Sequence, residues 1–463
     1  MTEFPVEDPA TGEIIATVPE GGRAEAIAAV DAAAASAGAW AALPARQRSE
    51  VLHRTFELMV RDRDRLGDLI VAENGKSRAD ALGEVTYAAE FFRWYAEEAV
   101  RPGGAYGPAP AGGARTLVTH RPVGIAALVT PWNFPAAMAT RKIAPALAAG
   151  CTAVVKPAAE TPLTALAIAD LLAEAGLPGG VVNLVTTTDA AAVVTTWLED
   201  PRVRKLSFTG STAVGRLLLR QAADQVLTTS MELGGNAPFV ITADADLDAA
   251  VSGAMIAKFR NGGQACTAAN RFYVHEEIAA DFLDRFGARV AALRVGPGSD
   301  PGAEIGPVIS AKAASALDAL VDSALADGAR VAARAALPTG TGGHFAAPTV
   351  LADVPAGARV LGQEIFGPIA PVVTWHDEDE LIRQVNATEL GLAAYVYAGD
   401  LGHALRIGEA VDAGMVGINR GIVSDPSAPF GGLKQSGLGR EGGQEGLHQF
   451  TETQYLSVDW PDS

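Results

Sequence analysis

The chain has 463 residues, of which 49% are hydrophobic, 19% charged and 6% aromatic, a globular composition long enough for two or three domains and unlike a fibre or a disordered chain. A formal net charge of −18 and a pI near 4.8 repel nucleic acid and anionic membranes, so an anionic substrate needs local arginines to attract it. Two cysteines, Cys151 and Cys266, make no disulfide framework, and no Cys/His cluster has the spacing of a metal site.

The opening MTEFPVEDPATGEI has neither a basic start nor an apolar run, and no window approaches about 18 uninterrupted apolar residues; a soluble, cytoplasmic protein is expected. Turn signals at DPATGE and PEGG around IIATV predict a hairpin. Helical spacing then covers Arg23 to Trp40, Arg46 to Asn74 and Arg78 to Val100, ending at the Gly/Pro-rich GGAYGPAPAGG. From about Thr116, β-rich runs alternate with helices. GIAALVT precedes a helix near Met138 to Ala149, CTAVV one from Pro162 to Ala175, VVNLV one over Ala190 to Trp197, and KLSF one over Val214 to Ala223, before TTSMEL. Strict alternation predicts a parallel sheet with crossover helices, in the manner of dinucleotide-binding folds. A second series from Asn236, through RFYVH, AAPTVL, PVVTW, LAAYVYA and MVGIN, predicts another α/β domain. The alternating tail QFTETQYLSVDW reads as an edge strand lying on another domain or another subunit. No repeat of 20 to 50 residues appears.

Five segments bear chemistry. In FRNGGQACTAANR, Cys266 follows a Gly-rich stretch among Asn261, Gln264 and Thr267, whose polar groups would support a thiolate; a lone Cys elsewhere is a small core hydrophobe. MELGGNAPFV puts Glu232 at a strand end, 34 residues before Cys266. It is either a surface charge at a turn or a base that activates water against a thioester. Asn133, in VTPWNFPAAMATRK, is a turn cap or, with the Cys266 backbone N–H, an oxyanion donor. SFTGSTAVGR places Gly210 and Ser211 between a strand and a helix N-terminus, a phosphate-site arrangement. VVKPAAETP ends a strand at Lys156, whose ammonium suits a ribose hydroxyl.

Taken in order, PWNFP, KPAAETP, FTGST, MELGG, FRNGGQACTAANR, QEIFGP and PFGGLKQSGLGRE resemble the aldehyde dehydrogenase superfamily over nearly the whole chain. The resemblance implies an α/β fold with a Rossmann-type cofactor domain (1–103 and 123–234), an α/β catalytic domain (235–438) and a small β oligomerisation arm (104–122 and 439–463), hence a homodimer or homotetramer. It makes Cys266 the nucleophile, Glu232 the general base and Asn133 the oxyanion donor. Lys156 and Glu364 would hold the ribose hydroxyls, Phe366 would line the nicotinamide end, Ser211 would meet the pyrophosphate, and Trp132 would sit near the same cleft. Release as coenzyme A ester would need no base such as Glu232, so hydrolysis to a carboxylic acid is expected.

Within that superfamily, WNFPAAMATRKIAPALAAGC, KFRNGGQAC and GIVSDPSAPFGGLKQSGLGRE are most similar to succinate-semialdehyde dehydrogenases. The positions matching that group's distal-carboxylate ligands are Arg141, Arg260 and Ser424, a set suited to bidentate carboxylate binding. Structural alternatives are a helix cap for Arg141 and an acid partner for Arg260. The expected substrate is therefore succinate or glutarate semialdehyde, the SDPSAP loop leaving chain length open. Some members carry a second Cys where Ala268 stands, so a disulfide switch on Cys266 is not expected, and Cys151 reads as core. Ala159 replaces a Glu that NAD-preferring members use to repel a 2′-phosphate, so NADP is favoured over NAD, with Glu160 opposing. The competing readings are a broad or aromatic aldehyde dehydrogenase with a neutral pocket, a Cys-dependent hydratase or transferase, and a non-catalytic protein on this fold.

Overall fold

The structure, a computed structural model, describes residues 2–101, 103–340 and 342–460. The ends of the expected spans at Met1 and at 461–463 lie outside the described residues. An antiparallel hairpin, β1 (Glu3–Glu7) with β2 (Ile14–Pro19), opens the chain, its turn fixed where Asp8 Oδ1 accepts the Ala10 amide at 2.7 Å. Four helices follow: α1 (Arg23–Ala42), α2 (Ala45–Arg61), α3 (Arg63–Asn74) and α4 (Arg78–Glu98). The single helix expected over Arg46 to Asn74 is thus two. The break falls at Asp62, whose backbone leaves the helical region (φ −96, ψ 17) and whose carboxylate binds Arg61 and Arg65 across it. Among the described residues no single helix is long and apolar enough to cross a membrane.

The first large sheet is built from β5 (Ile125–Val129), β6 (Thr152–Lys156), β7 (Val182–Leu184), β8 (Val203–Thr209) and β9 (Thr228–Glu232), joined by α5 (Pro135–Ala149), α6 (Pro162–Glu174), α7 (Ala190–Glu199) and α8 (Thr212–Ala223); it follows β3 (Ala105–Pro108) and β4 (Ala114–Pro122) in the chain. IAALV and TAVVK are buried throughout, because helices cover both faces of a parallel sheet. The strand order, β9-β8-β5-β6-β7, reverses direction between β5 and β8. That switch point leaves a crevice beyond the strands' carboxyl ends, where ligands bind in open α/β sheets. Pro131 to Asn133 follow β5 there, and Gly210 and Ser211 follow β8.

The second sheet contains β10 (Ala237–Ile241), β11 (Ala269–His275), β12 (Arg330–Arg334), β13 (Thr349–Ala352), β14 (Ile369–Trp375), β16 (Ala393–Tyr397) and β17 (Met415–Ile418), in the order β12-β13-β14-β11-β10-β16-β17. Helices α9 (Leu247–Phe259), α10 (Ala279–Ala291), α11 (Ala311–Ala326), α12 (Glu378–Asn386) and α13 (Leu401–Ala410) accompany it, and the short β15 (Leu390–Gly391), β18 (Leu433–Lys434) and β19 (Gly437–Leu438) fill the joint, β19 extending the first sheet beside β9. Between β9 and β10 the chain passes in four residues, Leu233 to Asn236, from the carboxyl end of one sheet to the amino end of the other.

After α14 (Gly443–His448), β20 (Thr451–Asp459) pairs with β4 from Thr451↔Pro122 to Asp459↔Ala114, and β3 completes a three-stranded arm. The terminal strand therefore lies on its own chain's arm. Tyr106, Tyr455 and Leu456 remain exposed on that arm.

Candidate active site

Cys266 is positioned by a turn that few sequences could make. Residues Arg260–Gly263 form a 3₁₀ turn in which Asn261, Gly262 and Gly263 all take left-handed backbone, with φ of 53, 59 and 75. A side chain on Gly263 would collide with the Gly367 carbonyl, so glycine is required there. Amide side chains then lock the loop. Asn261 Nδ2 donates to the Asn133 and Gln264 carbonyls at 2.8 and 3.1 Å, Asp80 accepts the Asn261 amide at 2.8 Å, and Gln264 Oε1 accepts the Ile309 amide at 3.0 Å. Below it, Gly235 lets the start of β10 run against the Cys266 carbonyl, where a Cβ would clash. Burial pushes the Cys266 thiol up to about 12, helped by Glu364 and Glu232 and resisted by Arg141 and Arg260.

A cavity of about 230 Å³ opens at the switch point and brings Cys266 together with Trp132, Asn133, Gly210, Ser211, Glu364 and Phe366. Asn133 donates one amide hydrogen to the Gln264 carbonyl at 3.0 Å, which leaves its second N–H free for another acceptor. Phe366 holds a left-handed φ of 52 and meets the Trp132 ring edge-on at 5.4 Å. Strain of that kind in a bulky residue persists where the surroundings impose it and is common at ligand sites.

Glu232, ending β9, is buried, and neither carboxyl oxygen has a hydrogen-bond partner among the described residues. Burial first, then Glu441, holds its carboxyl well above the usual range, while Arg141, Lys142 and Arg440 pull the other way. Glu441 is the counter-ion of the site: its carboxylate takes Arg141 Nε at 2.5 Å and also Lys142 Nζ, both nearly or fully buried. Those two cations hold Glu441 below the usual range against its burial. Two neighbouring carboxyls pushed apart in this way divide into a fixed anion and a group able to take up and release a proton.

In the same cavity, Glu364 accepts the Gly235 amide at 3.1 Å, and burial pushes its carboxyl up to about 7, with that amide and Lys258 opposing. Burial lowers the Lys156 ammonium, with Glu160 opposing. Ser211 caps α8, its hydroxyl accepting the Val214 amide at 3.4 Å, and its O–H stays available to an anion beside the free backbone N–H groups of the helix. Lys156 and Ala159 lie outside the cavity. Ala159 packs on the N-terminal hairpin beside Phe4, Val6 and Val18, because a methyl at that position finds an apolar neighbour.

The three carboxylate-ligand candidates converge on a residue that sequence reasoning missed. Burial raises the Tyr87 hydroxyl, and Arg141, Arg260 and Ser424 around it oppose that rise. Arg141 caps no helix; it is paired with Glu441, and its guanidinium lies 4.1 Å from the Phe430 ring centre. Arg260 has no acid within ion-pair distance among the described residues and lies over Phe134 at 5.2 Å. Lys142 and Glu441 were also missed, although both stand inside quoted segments, TRK and GLGRE. The available signal was Asp80, Glu84 and Tyr87 at helical spacing, a polar stripe on an otherwise Ala-rich face of α4.

The Aldehyde dehydrogenase family model matches residues 1–456. The chain belongs to this family. As an aldehyde dehydrogenase it is 52% identical over 448 residues to a succinate-semialdehyde dehydrogenase of Paenarthrobacter nicotinovorans, covering 97% of this chain and 99% of that protein. It is 48% identical to the NADP(+) succinate-semialdehyde dehydrogenase of Escherichia coli (strain K12), covering 98% of this chain and 94% of that one. The crystal structure of succinate-semialdehyde dehydrogenase from Burkholderia pseudomallei superposes with a TM-score of 0.97 at 47% identity, covering 99% of this aldehyde dehydrogenase and 95% of that chain.

Proposed function

We propose that this enzyme oxidises a small ω-carboxylate aldehyde, succinate or glutarate semialdehyde, to the diacid, with NADP or NAD as hydride acceptor. The observation that carries the reading is Arg260, a guanidinium near Cys266 with no carboxylate partner among the described residues, grouped with Arg141 and Ser424 around the buried Tyr87 hydroxyl. A substrate carboxylate supplies what that cluster lacks.

Glu364 and Lys156 would hold the ribose hydroxyls, the α8 N-terminus would take the pyrophosphate, and Trp132 and Phe366 would flank the nicotinamide. The fit rests on the free Glu364 oxygen, the buried ammonium and the unpaired helix N–H groups. When bound, the cofactor supplies the acceptor for the aldehyde hydride. The protein supplies the rest. Cys266 passes its thiol proton to solvent and, as the thiolate, attacks the carbonyl carbon. The resulting oxyanion takes hydrogen bonds from the free Asn133 N–H and the Cys266 backbone N–H, each worth about 2.7–4 kcal/mol at such a site. Loss of hydride leaves a thioester on Cys266. Glu232 then takes a proton from water as it attacks, the C–S bond breaks, and the acid leaves. Aldehyde, water and oxidised cofactor become carboxylate, reduced cofactor and two protons.

The arm, with Tyr106, Tyr455 and Leu456 exposed, is read as the contact of a homodimer or homotetramer, and the enzyme as cytoplasmic. The deciding experiment is steady-state kinetics on C2 to C6 aldehydes and semialdehydes with both cofactors. A preference for semialdehydes over neutral aldehydes of equal length is expected; equal kcat/KM values would replace the reading with that of a neutral-pocket enzyme.

A further inference from the structure

The groups that do chemistry leave one buried ion pair unused. Lys76 Nζ meets Glu84 Oε2 at 2.6 Å with both side chains wholly excluded from solvent. Burying two charges costs more than filling the same space with apolar side chains, and such pairs are often replaceable without loss of stability. Among the described residues, the pair's other hydrogen bonds go to one short segment. Lys76 Nζ also donates to the Asn133 carbonyl at 2.8 Å and lies 4.1 Å from the Phe134 ring centre. Glu84 Oε1 accepts the amides of Ala136 and Ala137 at 2.8 and 3.2 Å, the first free N–H groups of α5. Residues 133–137 are thereby gripped at both ends. The second donor on the Asn133 carbonyl is Asn261 Nδ2, from the Cys266 loop, so the same carbonyl ties the amide's turn to the nucleophile's.

We propose that the Lys76–Glu84 ion pair is the positioning element of the oxyanion site, setting the Asn133 side chain against Cys266. This rests on the oxyanion role given to Asn133 above. Neither charge touches substrate. An ammonium on a carbonyl and a carboxylate on two amides make short, charge-assisted hydrogen bonds, which fix a turn more tightly than apolar packing would. A displacement of about 1 Å at a catalytic group can cost about 100-fold in rate.

The test is a double-mutant cycle. Lys76→Met and Glu84→Gln are each made alone and together with Asn133→Ala, and kcat, KM, thermal melting and the rate of Cys266 alkylation by iodoacetamide are measured. Alkylation needs no oxyanion donor. The proposal expects kcat to fall about 10- to 100-fold with KM and alkylation little changed, and the loss to vanish in the Asn133→Ala background. Losses that multiply with that of Asn133→Ala, an unchanged kcat, or alkylation falling in step with kcat would each overturn it. If Lys76→Met is not recovered folded, Lys76→Met/Glu84→Gln, which leaves no lone buried charge, is read by the same criteria. An unchanged kcat in Asn133→Ala alone would overturn the oxyanion role itself.

Discussion

Arg260→Ala removes the guanidinium that the semialdehyde reading depends on. The side chain is half-buried, so an effective dielectric near 20 applies, and a carboxylate at about 4 Å gains about 4 kcal/mol of Coulomb energy. Part of that is returned in stripping water from both ions, leaving a net of about 2–3 kcal/mol, the range of hydrogen bonds to charged groups. At about 1.4 kcal/mol per tenfold, kcat/KM for succinate semialdehyde should fall about 30- to 150-fold. Butanal, equal in length but without the carboxylate, should change less than about twofold. The assay is initial-rate formation of reduced cofactor with both aldehydes on wild type and variant, read as a ratio of kcat/KM values. A ratio that moves less than about threefold refutes the carboxylate site. Arg141→Ala is the poorer probe. It leaves Glu441 with Lys142 alone beside Glu232, and breaking a buried pair costs about 3–5 kcal/mol of stability by itself.

Tyr87→Phe removes a buried hydroxyl among Arg141, Arg260 and Ser424, so KM for the semialdehyde should rise about 5- to 10-fold at similar kcat, a hydrogen bond's worth; unchanged KM removes Tyr87 from the pocket. Glu232→Gln should keep the first-turnover burst of reduced cofactor yet lower steady-state turnover about 10²- to 10⁴-fold. Because Glu232 is held above the ordinary carboxyl range, thioester hydrolysis in the wild type should quicken as pH rises through its titration, and a flat profile in rapid-quench assays contradicts that. Lys205, fully buried against Ser230 and the Phe450 ring, is lowered to about 7 by burial and Lys142, with Glu441 and Cys151 opposing. A cation depressed in the fold binds fewer protons there than in the unfolded chain between about pH 7 and its ordinary value. Its cost is therefore full below about 7 and relieved above. Lys205→Met should stabilise by about 1–4 kcal/mol near pH 6, and the gain should shrink toward pH 10; melts showing a pH-independent difference would contradict this.

Alternation of strands and helices made the parallel strands of both sheets readable, because each crossover helix has to bury a face and each covered strand becomes a continuous apolar run, as in IAALV and TAVVK; β12, antiparallel to β13, fell outside that pattern. Residues on loops at strand ends were readable too: Asn133, Gly210, Ser211, Cys266 and Glu364 stand beside turn signals, and one cavity collects them. What escaped lies inside helices or far along the chain. Tyr87 and Glu84 sit on an amphipathic helix where a polar residue ordinarily faces water. Lys142 looks like an ordinary helix cation until Glu441, 299 residues later, closes on it. The break at Asp62 escaped because α2 and α3 continue the same apolar spacing across a residue with no Gly or Pro to mark it.

The short passage from β9 to β10 joins two separately built sheets, and the thiol meets its amide partner only across that joint. Asn133 and the Cys266 loop are 131 residues apart where Asn133 bonds Gln264, a contact of the slow, non-local kind. In a chain with one sheet formed and the other unfinished, the Cys266 loop lacks the Asn133 amide and the Glu232 carboxyl that the proposed mechanism assigns to it. On that mechanism, the appearance of activity during refolding should report the docking of the two sheets rather than the formation of either.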